Sequence, residues 1–347
     1  MNLALLKDCC KTPGAPGFEQ KIRELILKEV KPLVDSVEVD SMGNVIAIKK
    51  GKKRKKAMVA AHMDEIGFIV KHIDDDGFIR FHTLGGFDPK TLTSQRVIIH
   101  GKKDIIGVMG VKPIHIMTAE ERAKPPNIDD YFIDCGMSKK DVEKYVGLGN
   151  SITRERDLIE MGDCINSKSM DNRVSVFILL EVLRSLKGKK PPFDIYGVFT
   201  VQEEVGLRGA MTSSRYINPD FGFGLDVTIA NDVPGALGHE KITNLGEGAA
   251  IKVLDGSTIS DYRMVEYLKT TANKHKIKWQ LEILPRGGTD TAGVQRAGNG
   301  SIAGAISIPL RNMHQVIEMA NKKDIQACIN LLKNALLDLD KYDWSFK

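Results

Sequence analysis

From residue 162 onward, runs of helical period alternate with short apolar runs punctuated by glycine, and no other feature of the sequence constrains the fold as much. "SMDNRVSVFILLEVLRSLKG" is apolar at helical spacing and closes on a glycine, while "FDIYGVFTVQEEVG" and "FGFGLDVTIAND" have strand length. "DYRMVEYLKTTANKHK" reads as a helix, "KWQLEIL" and "IAGAISI" as strands, and "DIQACINLLKNALLDLD" as a closing helix. This order predicts an α/β fold, a central mixed sheet with helices on both faces. The first 71 residues share the texture. Residues 18–35 set Ile22, Leu25, Ile26, Val30 and Leu33 near helical spacing. "VEVDSMGNVIAIKK" reads as a hairpin turning near Gly43 and Asn44, and "AMVAAHMDEIG" as a buried strand running into polar residues.

Between 72 and 161 the texture changes. "FIRFHTLGG", "RVIIHG" and "IIGVMG" are short strand-like runs broken by glycine, as in a small all-β barrel, with a short helix predicted from an N-cap at Ser138. The chain is 347 residues long, beyond the usual size of one domain. The economical organisation is one α/β domain, 1–71 plus 162–347, interrupted by a β unit at 72–161.

Composition bounds the partners. With 42% hydrophobic and 27% charged residues the chain has enough apolar material for a sizeable core, and a net charge of +5 says little about partners. The cysteines (Cys9, Cys10, Cys135, Cys164 and Cys328) are odd in number and lack Cys-x-x-Cys spacing, which argues against a disulfide framework and for a reducing, cytoplasmic setting. No secretory signal pattern opens the chain, and no apolar run reaches the ~20 residues that span a bilayer. The basic run "KKGKKRKK" at 49–56 sits between strand patterns without interleaved aromatics, so a solvated hairpin tip fits better than a nucleic-acid contact. His72, His82, His100 and His115 are scattered and read as surface or satisfied histidines.

The chemistry gathers at strand ends, where open α/β sheets bind ligands. The strand at 58–61 delivers His62 and Asp64, that at 195–201 delivers Glu203 and Glu204, that at 221–225 delivers Asp226, and that at 302–308 leads to His314. Asp171 opens the long helix, where a carboxylate also suits the helix N-terminus. Two imidazoles and several carboxylates on one edge suit Zn²⁺ or Co²⁺. Five ligands exceed the need of one tetrahedral ion with an open position and match two divalent ions sharing a carboxylate. Taken singly, each residue has a plain structural reading, such as a core histidine, a turn residue or a cap.

"AAHMDEIGF", "SKSMDNR", "TVQEEVGLRGA", "GLDV" and "PLRNMH" resemble, in this order, the motifs of the tetrahedral aminopeptidases, the dinuclear metallopeptidase family of glutamyl aminopeptidase and cellulase M. The resemblance covers nearly the whole chain. It implies that His62 and Asp226 are terminal ligands of one ion, Glu204 and His314 of the other, and that Asp171 bridges both. Asp64 would orient His62, and Glu203 would be the general base that moves a proton from the metal-bridging water to the leaving amine. It further implies removal of N-terminal residues from short peptides, a β insert that forms dimers, and a hollow homododecamer built from them. "RGGTDTAGVQ" resembles the family's glycine-rich wall of the site. The chain departs from the family at Asn312 and Gln315, where tyrosine and serine are usual, and at Met170 and Thr291. Arg286, Arg311 and Lys241 are the basic residues available to meet an acidic substrate side chain.

Other functions fit less well. A glycosidase needs two carboxyl groups about 5–9.5 Å apart across one bond, whereas neighbours on one strand point to opposite faces. With two tryptophans, Trp279 and Trp344, the chain is poor in sugar platforms, and the histidines would be idle. A nucleic-acid protein would work through 49–56, and an inert metal scaffold would not need Glu203.

Overall fold

The computed structural model describes residues 1–346. At the centre of an eleven-stranded sheet, Phe193–Thr200, Lys53–His62, Phe221–Ile229 and Ile302–Arg311 lie side by side and parallel. Antiparallel neighbours flank them: Val45–Lys49 and Ser36–Val39 on one side, and Glu318–Asn321, Cys164–Ser167 and Ile159–Met161 on the other. Ala249–Leu254 also joins Ile302–Arg311 and carries Trp279–Ile283. The sheet is therefore mixed.

Side-chain alternation explains the layers. Along Lys53–His62, Ala57, Val59 and Ala61 join the core under the helices Leu3–Lys11, Met170–Ser185 and Lys322–Asp338. Met58 and Ala60 join Val198, Ile217 and Val294 on the opposite face, under Arg208–Ile217 and Thr291–Gln295. Because both faces are covered, the central strands are apolar on both, as their sequences show. The chain passes from Phe193–Thr200 across Lys53–His62 to Phe221–Ile229 through Arg208–Ile217, whereas Met170–Ser185 covers the other face. Connections that leave on opposite faces open a crevice at the carboxyl ends of these strands.

The inserted unit is a closed barrel in the spatial order Gly67–Ile73, Ile79–Leu84, Phe132–Asp134, Asp104–Gly110, Arg96–His100, Ser151–Arg154. Pairing of its first and last strands leaves no free edge. Phe68, Phe81, Val97, Ile99, Ile133 and Ile152 fill a core separate from that of the main sheet. Ser138 caps Lys139–Val142 as predicted, its side chain accepting from the Asp141 N–H.

The basic run corrects one expectation. It is no hairpin tip, because Val45–Lys49 and Lys53–His62 do not pair; Phe193–Thr200 lies between them. That strand buries Ile195, Val198 and Phe199 and needs a partner on each edge, a demand that comes from more than a hundred residues downstream. Lys49 is buried, while Lys50 pairs with Asp194 at 3.0 Å and Lys53 with Asp340 at 2.8 Å. Phe199 is fully buried in the larger core. Phe199→Ala is expected to cost about 3–5 kcal/mol, read as a lowered urea midpoint.

Candidate metal centre

The parallel strands bring their carboxyl ends to one edge. His62 ends its strand level with Thr200. Asp226 lies within Phe221–Ile229 and level with Ser307. Beyond Thr200 the chain leaves extended geometry, with φ of 55° at Gln202, 124° at Gly206 and 57° at Leu207. This turn brings two adjacent glutamates to one cavity, which a continuous strand would not do. Asp171 opens its helix with non-helical dihedrals (φ −77°, ψ 105°), and His314 lies in the loop after Ile302–Arg311 with φ of 62°.

All seven residues singled out in the sequence converge. Asp171 lies between the imidazoles, Oδ1 3.2 Å from His62 Nε2 and Oδ2 3.3 Å from His314 Nε2. Asp226 Oδ1 and Glu203 Oε2 are 3.7 and 3.8 Å from His62 Nε2, and Glu204 Oε2 is 3.6 Å from His314 Nε2. Asp64 Oδ1 is 3.4 Å from His62 Nδ1 but without hydrogen-bond alignment. Its two oxygens instead accept from the backbone N–H groups of Glu203 and Glu204, each at 3.1 Å. Asp64 thus anchors the turn that carries both glutamates.

So many acids in a buried site need protons or cations. Burial, reinforced by the charge of Asp171, pushes Glu204 up to about 8. Burial raises Glu203 well above the usual range, with Asp226 and Glu204 adding to it and His62 opposing. Burial also raises Asp226. For Asp171 burial pulls in the same direction, but hydrogen bonds with His314 and His62 hold it well below the carboxylate range. Burial disfavours the charged form of His314, yet Asp171 and Glu204 push it up to about 10. Two sets, His62–Glu203–Asp226 and His62–Asp171–Glu204, each hold their ligand atoms within 4.8 Å of one another. Glu204 Oε1 is buried without a hydrogen-bond partner. These imidazole and carboxylate donors fit divalent ions of the Zn, Co and Mn kind.

A cavity of about 570 Å³ opens beside the cluster, walled by Leu207, Val227, Ile229, Leu284 and Met313. Gly287, Gly288 and Thr289 of the glycine-rich segment form part of the wall. Of the basic residues available for an acidic substrate, Arg286 lines the cavity. Arg311 is engaged by Asp232 through Nε and Nη2, each at 2.6 Å, and Lys241 is not among the lining residues.

The description of M42 glutamyl aminopeptidases matches residues 43–331. The Pyrococcus furiosus lysyl aminopeptidase is 34% identical, over 98% of this chain and 98% of its own. The solved TET aminopeptidase of Thaumarchaeota archaeon SCGC AB-539-E09 is 34% identical, with a TM-score of 0.95 over 97% of this chain and 96% of its own. The Pyrococcus horikoshii TET1 peptidase, which can assemble into a tetrahedron or a large octahedral shell, is 28% identical, with a TM-score of 0.87 over 97% and 99%. A Thermotoga maritima structure named endoglucanase is 30% identical, with a TM-score of 0.80 over 96% of each chain. Fold and family are those of a peptidase, a hydrolase of peptide bonds. The chain belongs to the M42 glutamyl aminopeptidase family.

Several residues that shape the site were not legible in the sequence. Glu65, fully buried, pairs with Lys168 Nζ at 2.6 Å, accepts from Ser169 Oγ, and faces Arg173 Nη2 at 3.5 Å. Arg173 in turn donates to the carbonyls of Cys9 and Thr12. This ionic knot holds 168–173, the segment that presents Asp171. Asp290, also buried, accepts from Thr200 Oγ1 and is pushed up to about 7, chiefly by burial. Glu65 directly follows Asp64 in "HMDEIG", yet nothing local shows that its partners lie about a hundred residues on. Glu65→Ala strands two buried cations and is expected to destabilise the protein by roughly 3–5 kcal/mol, measured by denaturant titration.

Proposed function

We propose that the chain is a dinuclear, metal-dependent aminopeptidase that removes N-terminal residues from short peptides. The observation that carries this reading is Asp171, whose two carboxylate oxygens face two different imidazoles, with a further carboxylate beside each. His62 and Asp226 would hold one ion, Glu204 and His314 the other, and Asp171 would bridge them. Two divalent ions held there would polarise the scissile carbonyl and make water nucleophilic near neutral pH.

The chain's own residues supply the rest. Glu203 is buried, raised in pKa and next to the cluster, which suits a group that takes a proton from the attacking water and passes it to the leaving amine. Asp64, by accepting from both glutamate N–H groups, keeps Glu203 and Glu204 aimed at the same reacting centre. The apolar wall of Leu207, Val227, Ile229, Leu284 and Met313 would receive the first side chain, and the acidic end of the cavity suits a free α-ammonium group. The endoglucanase name of the Thermotoga maritima relative raises a sugar substrate, but no Phe, Tyr or Trp is among the described residues lining the cavity.

The unit at 72–161 would be the assembly domain of a homododecamer built from dimers. Support comes from the assembling Pyrococcus horikoshii relative and from Ile106, Ile114, Ile116 and Leu148, all exposed on that unit. A cytoplasmic setting fits five cysteines that form no disulfide. No helix among the described residues is long and apolar enough to cross a membrane.

The deciding experiment strips the protein with chelator and refills it with Zn²⁺ or Co²⁺ in the presence of aminoacyl-p-nitroanilides and dipeptides. Hydrolysis should vanish and return; no activity on any substrate with a free N-terminus after refilling rejects the proposal. Glu203→Gln should lower kcat by about 10²–10⁴ with metal content unchanged, whereas His314→Ala should lose metal. Glu204 and His314 must shed protons to bind an ion, so calorimetry should show proton release on metal uptake. Affinity should weaken as the pH falls below about 10, the value to which His314 is raised, and more steeply below about 8, the value to which Glu204 is raised.

A further inference from the structure

The loop carrying His314 is held from two directions, and one of them is the inserted barrel. His314 Nδ1 is 2.9 Å from the carbonyl oxygen of Gly86, in the loop after the barrel strand Ile79–Leu84. A carbonyl only accepts, so Nδ1 keeps its proton and Nε2 is the nitrogen left to face Asp171 and Glu204. Arg154, the last residue of the barrel strand Ser151–Arg154, is 2% exposed, and its Nη1 donates to the His314 carbonyl at 3.1 Å. Its guanidinium lies 5.6 Å from the ring centroid of Phe87, which stacks on Phe68 of the barrel core at 4.5 Å. The arginine is thus anchored in one unit and bonded to the other.

From the main sheet comes Glu318, which is fully buried. Its Oε1 accepts from the backbone N–H of His314 at 2.9 Å, and its Oε2 from that of Asp171 at 3.1 Å. One carboxylate therefore ties together the backbones of two residues 143 apart in sequence (314 − 171). His314 needs such support, since φ of 62° places a non-glycine residue in the left-handed region, which its Cβ disfavours.

We propose that Glu318 and Arg154 are positioning residues for the His314 side of the metal centre. Through Arg154 and the Gly86 carbonyl, the inserted barrel then sets the affinity of the Glu204–Asp171–His314 subsite. This inference rests on the dinuclear reading above. Glu318 fixes the distance between bridge and terminal ligand, Arg154 fixes the loop, and Gly86 fixes the tautomer. The barrel is thereby a working part of the site and not only a surface for assembly.

The test uses the full-length chain, stripped of metal and titrated with Co²⁺ by calorimetry and visible absorption. The wild type should take up two equivalents, and His314→Ala identifies which one belongs to the His314 subsite. Arg154→Met, which keeps the bulk over Phe87 but removes the donor and charge, and Glu318→Gln, which turns one acceptor into a donor, should each weaken that equivalent about 10–100-fold. The absorption band of that equivalent should change; the other equivalent should keep its affinity in Arg154→Met and weaken less than the first in Glu318→Gln, since Glu318 also holds Asp171. Arg154→Lys, which retains a donor, should fall between. Two equivalents at wild-type affinity and with wild-type spectra in both variants overturn the proposal. Equal weakening of both equivalents with a lowered melting temperature of the metal-free protein also overturns it, since that is a folding effect. A wild type that fails to bind two equivalents overturns the dinuclear reading itself, and this proposal with it.

Discussion

The carboxylate of Asp171, held between His62 and His314, is the contact on which the rest of the site depends. Each oxygen meets a different imidazole, so the position of one side chain ties the two histidines together. It lies on a segment that leaves helical geometry, 168–173, and that segment is fastened by buried charges on one side and by Glu318 on the other. Buried ion pairs of this kind contribute little net stability against an apolar alternative, because desolvation offsets their attraction. Their use here is geometric. Lys168, Arg173 and Glu65 offset one another's buried charge in an arrangement that points Asp171 at the sheet edge.

The division of labour between the two units follows from their cores. The main sheet is covered on both faces and supplies the parallel strand ends, while the barrel closes on itself and packs around its own aromatic and β-branched residues. The two units meet where the Gly86 carbonyl and the Arg154 guanidinium reach the His314 loop. The surrounding structure must hold a residue of left-handed φ such as His314 in place, and the barrel contributes two of the bonds that do so. The membership of strands in each unit is decided by pairing: Gly67–Ile73 belongs to the barrel ladder, and Ile159–Met161 to the main sheet.

The seven residues named from the sequence, which the structure brings together, drew notice as side chains of ligand type that follow an apolar run or, for Asp171, open a helix. Period and residue type are local properties. The turn at Gln202–Leu207 came only with the structure, and it brings two successive glutamates to one cavity, as a continuous strand would not. The lysine run at 49–56 misled because its neighbours in sequence are not its neighbours in the sheet. Glu318 and Glu65 carried no signal, for their partners lie 147 and 103 residues away at Asp171 and Lys168.

The sequence by itself determined the alternation of helix and strand, the β insert, and the set of imidazoles and carboxylates at the strand ends. Those follow from side-chain period and chemical type, which survive without knowledge of contacts. Only the tertiary structure decided which oxygen faces which nitrogen, which buried cations hold the Asp171 segment, and that the barrel touches His314. These depend on long-range packing, where groups far apart in the chain compensate one another's burial, and no local pattern records that pairing.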